Sequence, residues 1–122
     1  MLTKIAIVLG VVLILAGVLG FIPQVSPKGM LLGIFHVNVV HNLIHLASGI
    51  ISFWVGMKGA RATQVFFQIF GLIYLFVGVL GFLYGMKPIF GMIANNMADT
   101  WLHIVIGASL IYLGFFYKGV TD

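Results

Sequence analysis

The chain has 122 residues, 62% of them hydrophobic and 7% charged, with a formal net charge of +4 and no cysteine. A soluble domain of this size needs far more charge to coat its surface, so the composition points to a membrane. The small basic excess sits in loops, where it reads as a topology signal and not a nucleic-acid footprint, and the lack of cysteine excludes disulfides and thiolate ligands.

The length suffices for about four crossings of roughly 20 residues with short loops, and predicts a single domain. Lys4 and the apolar run behind it could pass for a signal peptide. The run has no Ala-x-Ala-like cleavage site and has a counterpart at 65–82, so it is read as a retained first helix over 3–21. Pro23 and Pro27 punctuate the loop that follows. A second helix is expected to begin near 29–33 and run to Val55. The turn from Gly56 to Arg61 is short, which makes the second and third helices antiparallel neighbours. The third helix is predicted over 63–84 and the fourth over 100–117, with an earlier start near Pro88 if it mirrors the second.

The two halves repeat. Gly-Val-Leu-Gly-Phe occurs at 17–21 and again at 78–82, and Gly10 falls on Gly71. Further on, His41-Asn42-Leu43-Ile44-His45 with Gly49 aligns without a gap on Asp99-Thr100-Trp101-Leu102-His103 with Gly107, and Asn38 falls on Asn96. The expected fold is all-α: a four-transmembrane-helix bundle of two tandem helical hairpins, 1–58 and 59–122, with a pseudo-twofold axis along the membrane normal. Lys4, Lys58, Arg61 and Lys118 fall on one side and Lys28 and Lys87 on the other, which favours cytoplasmic termini. Gly10, Gly17, Gly20 and Gly71, Gly78, Gly81 are read as close helix contacts. Gln64 is expected at the headgroups and Gln68 against a neighbouring helix, while Phe66, Phe67, Phe70 and Phe76 face lipid or pack.

At about 100° per residue, with Asn38 at zero, His41 lies near −60°, Asn42 near +40° and His45 near −20°, and Asn96, Asp99, Thr100 and His103 repeat those angles. Each even-numbered helix thus carries one polar stripe, and both stripes should face inward because a polar group in hydrocarbon is costly. His36 lies off the stripe, at the interface or in the loops. Asp99 either meets a histidine and fixes its tautomer, or caps a helix that starts at Thr100. His41 and His45, four apart, have the spacing of two ligands from one helix; with His103 and Asp99 they could hold zinc, iron or copper. His45 and His103 could instead be axial ligands to haem b. A hydrogen-bonded structural network remains open beside both. On every one of these readings His45→Leu alone is expected to strand a buried partner and destabilise the bundle.

On 17–23, 31–49 and 96–107, with His-Asn-x-x-His in one half and Asp-x-x-x-His in the other, the chain resembles the small bacterial four-helix membrane proteins grouped as domain of unknown function 4383. The resemblance implies a bacterial inner-membrane protein, or a thylakoid one in a cyanobacterium. It implies no reaction and gives His36 no role.

Three functions follow. The first is a non-enzymatic accessory, assembly or stress-related membrane subunit, alone, as a homo-oligomer or in a larger complex. The second is a metal or haem protein in electron transfer or metal handling. The third is a proton or small-solute carrier, which needs a water-filled path that packed, glycine-rich helices disfavour. No nucleophile motif or phosphate loop supports a hydrolytic enzyme.

Overall fold

A computed structural model describes residues 1–118. Four helices are long and apolar enough to cross a membrane: α1 (Leu2–Leu19), α2 (Val39–Lys58), α3 (Ala60–Tyr84) and α4 (Met97–Ile111), the last prolonged by a π turn over Tyr112–Phe116. α1 packs along α2 and α3 along α4, and the two hairpins meet more sparingly through α2 and α3. The outward surface is apolar and aromatic, with Trp54, Phe76, Leu83 and Trp101 all exposed, as a lipid environment requires.

Glycine sets the closeness within each hairpin. A Cβ on Gly10 would lie 2.7 Å from the Gly49 carbonyl oxygen, and one on Gly71 would lie 2.8 Å from the Ile111 nitrogen. Lipid gives helices no hydrophobic reason to associate, so this backbone approach is what brings dispersion contacts and polar groups within range. A Cβ on Gly20 would strike the Asn42 side chain, and one on Gly81 would strike Thr100. The polar residues of α2 and α4 are therefore seated where a glycine of the partner helix makes room. At the end holding the chain's N-terminus, Leu2, Ala6, Val55, Phe66, Phe67 and Leu110 form the apolar core. Gln64 and Gln68 both donate to the Gly114 carbonyl, at 3.3 and 2.8 Å, in the last turn before the helix ends at Phe116.

The even-numbered helices start later than expected for the second and earlier than expected for the fourth. After a single 3-10 turn over Pro27–Gly29, residues 30–38 are not helical. Leu32 and Gly33 both take positive φ, 55° and 72°, and turn the two-residue strands β1 (Met30–Leu31) and β2 (Phe35–His36) against each other. Such a turn matches the twist of paired strands, and Gly33 is the residue that adopts it without strain. Phe90 and Gly91 repeat those angles at 54° and 71° beside an Ile89–Ile93 bridge, so Pro88 belongs to a loop and not to a helix start. Asn38 and Asn96 then open α2 and α4 as N-caps, each accepting from the backbone N–H three residues on. The end of the second repeat, 119–122, lies outside the described residues.

Candidate functional site

The predicted stripe separates into two layers. The outer one ties each hairpin's loop to the other hairpin. Asn38 caps α2 by accepting from the His41 N–H at 2.9 Å, and its Nδ2 donates to the Met92 carbonyl at 2.9 Å. Asn96 caps α4 by accepting from the Asp99 N–H at 2.9 Å, and its Nδ2 donates to the Ile34 carbonyl at 2.9 Å. His41 Nδ1 lies 2.8 Å from the Ala94 carbonyl oxygen. Asp99 Oδ2 accepts from the backbone N–H of Asn96 at 3.0 Å and of His36 at 3.1 Å. Asp99 is thus not the first cap of α4 but its third residue, closing a capping box with Asn96 and holding the opposite loop as well. Each of these partners recurs 58 residues along the chain: Asn38 and Asn96, Met92 and Ile34, His41 and Asp99, Ala94 and His36.

The inner layer is different. His41, His45 and His103 are 1%, 5% and 5% exposed, and one ring nitrogen from each lies within 4.8 Å of the others. Ring centroids are 4.5 Å apart for His41–His45, 5.5 Å for His41–His103 and 6.2 Å for His45–His103. A carbonyl oxygen only accepts, so His41 Nδ1 carries the proton that donates to Ala94. In the neutral ring, His41 Nε2 then presents a lone pair, and this buried atom has no hydrogen-bond partner among the described residues. Nδ1 of His45 and Nδ1 of His103 are buried without a partner too. The rings border a cavity of about 40 Å³ shared with Ile44, Ile73, Tyr74, Val77 and Ile93. Buried nitrogens are ordinarily hydrogen-bonded, so three adjoining rings, each with an unpartnered nitrogen and with one nitrogen of each within 4.8 Å, are a set that could hold a metal ion.

Of the residues singled out from sequence, His41, His45 and His103 come together, and Asp99 stands apart in the outer layer with its carboxylate engaged by two N–H groups. Asn42 and Thr100 are buried beside Gly20 and Gly81, and Thr100 donates to the Asn96 carbonyl at 3.1 Å. His36 lies in β2 and contributes its backbone N–H. A third ring, His41, stands 4.5 Å from that of His45 and 5.5 Å from that of His103, where a porphyrin held between those two would have to lie, so this site does not fit haem.

Two residues escaped the sequence reading. Tyr74 lines the cavity with its ring 5.7 Å from that of His103. Asn95 is fully buried and its Nδ2 donates to the Gly81 and Gly85 carbonyls, at 3.3 and 2.6 Å, tying the loop to the end of α3. Both stand opposite apolar residues in the other half, Leu13 and Val37, so comparison of the repeats passes over them.

No curated protein and no solved structure matches the chain. A family model does, over residues 4–116: the chain belongs to the family described as Domain of unknown function (DUF4383).

Proposed function

We propose that this is a metal-binding protein of the bacterial inner membrane, with both termini in the cytoplasm, that holds one transition-metal ion on His41, His45 and His103 in a metal-handling role. The observation that carries the reading is the His41 tautomer: its Nδ1 donates to the Ala94 carbonyl while Nε2 faces the cluster unpartnered. Metal-bound histidines typically do this, giving their second nitrogen to a carbonyl that fixes ring and lone pair. A purely structural seam would satisfy its nitrogens, as the outer layer does. Nitrogens up to 4.8 Å apart can close to bonds of about 2.0 Å by side-chain rotation. The outer layer supports the site by locking the two loops over it, which also suits an assembly role in a larger complex.

The test is elemental analysis of protein purified gently, without chelator, from its native membrane. Close to one copper, zinc or iron per chain is expected, falling to background in His103→Ala. A clean, folded preparation with no metal, which also fails to take up any from buffered Cu(I), Cu(II), Zn(II) or Fe(II), overturns the reading.

A further inference from the structure

We propose that the three-histidine site selects a monovalent ion, Cu(I), over divalent ions; this rests on the metal-binding reading above. The argument is one of charge. All three protein ligands are neutral imidazoles. Asp99 is the single carboxylate side chain among the described residues, and its Oδ2 is committed to the N–H groups of Asn96 and His36. The rest of the cavity wall is Ile44, Ile73, Val77 and Ile93, with the phenol of Tyr74. The bound ion therefore keeps its whole charge in an apolar surround. The Born cost of a buried ion rises with the square of its charge, so a divalent ion carries about four times the penalty of a monovalent one.

The helices add to the bias. His41 lies in the first turn of α2, and His45 and His103 each lie six residues beyond the first residue of their helices, about 9 Å along the axis. The partly positive N-terminal ends of both helices thus adjoin the site, and only α4 has an acid in its first turn.

Coordination number points the same way. Zn(II) on three histidines keeps a water or hydroxide in a fourth position. A buried water needs about two to four polar partners, and apart from Tyr74 the wall of Ile44, Ile73, Val77 and Ile93 offers it none. Cu(I) is content with three ligands and needs neither a counter-anion nor a water. Imidazole is a good ligand for copper, so selectivity here comes from charge and the apolar wall and not from donor softness.

The experiment is a competition on the full chain in lipid nanodiscs. Cu(I), kept reduced under anaerobic conditions and buffered by a chromogenic cuprous chelator, is compared with buffered Zn(II) and Cu(II), and the copper is examined by X-ray absorption. The expected result is about one Cu(I) per chain with the strong pre-edge feature of a three-coordinate cuprous ion, bound at least about a hundredfold more tightly than either divalent ion. Tyr74→Phe should bind Cu(I) as the natural chain does, because the phenol supplies no charge. Ile93→Asp, which sets a carboxylate at the cavity from an exposed-end loop, should raise Zn(II) affinity at least about tenfold relative to Cu(I). Equal or tighter binding of Zn(II) or Cu(II) by the natural chain overturns the charge argument while leaving the metal site standing. Loss of Cu(I) in Tyr74→Phe likewise overturns it, by making the phenol an anionic ligand. Failure to bind any of the ions removes the metal-binding reading itself. The natural chain alone decides between these results should Ile93→Asp not fold.

Discussion

His45 illustrates how one side chain changes meaning once its partners are known. From the sequence, His45→Leu should strand a buried partner, but in the fold His45 Nδ1 has no hydrogen-bond partner to strand. Replacing an unsatisfied buried imidazole by a hydrocarbon removes a desolvation cost instead. The metal-free His45→Leu protein should therefore melt at the same temperature as the natural chain or a few degrees higher. The natural chain, with metal at about a hundred times its dissociation constant, should gain about 2.7 kcal/mol, or about 10 °C for a chain of this size, and His45→Leu should gain none. Thermal melts in detergent with and without the ion measure both. A large fall in the metal-free mutant would show that His45 holds the bundle together. His41→Ala differs, because it also leaves the Ala94 carbonyl without its donor, and should cost about 1–3 kcal/mol even without metal.

The caps and glycines act at the scale of the element. Asn38→Ala removes an N-cap bond and the cross-link to Met92, and Asn96→Ala removes its cap and the link to Ile34. Each should cost about 2 kcal/mol, summing about 1 kcal/mol for a cap and about 1 kcal/mol for a hydrogen bond. Each should also speed amide exchange in the opposite hairpin's loop. Gly10→Leu should cost about 1–3 kcal/mol or more, because backbone and not a flexible side chain stands 2.7 Å from the added Cβ; loss of folded yield in detergent is the readout. These elements also show how far the sequence could be read. Four apolar runs, their order, the packing role of the glycines and the bond from Gln68 to its neighbour helix were all legible, because membrane hydropathy and small-residue spacing act locally. The α2 start was not, because apolar residues such as Leu31, Leu32 and Phe35 continue the hydropathy of a helix while left-handed φ at Leu32 and Gly33 breaks it. The histidine cluster was legible as a stripe. Its division into a satisfied outer layer and an unsatisfied inner one was not, since that depends on which backbone carbonyls and N–H groups the far loops deliver.

For the whole molecule, the lack of cysteine makes topology directly measurable. Single cysteines placed at Met57, exposed at the C-terminal end of α2, and at Met86, exposed in the α3–α4 loop, should react with a membrane-impermeant maleimide from opposite sides. In intact spheroplasts Met86→Cys should label and Met57→Cys should not, with the reverse in inverted vesicles. The opposite result would invert the proposed orientation and put the histidine layer near the cytoplasm.

The links between the loops have a direction. At one point a histidine donates a hydrogen bond to a carbonyl of the far loop; at the matching point an aspartate accepts one from an amide of the far loop. The backbone at the two matching points, His36 and Ala94, offers one N–H and one carbonyl alike, so the side chain alone decides which of them is used. One duplicated scaffold thus carries two latches of opposite sense, and exchanging His41 and Asp99 would reverse both.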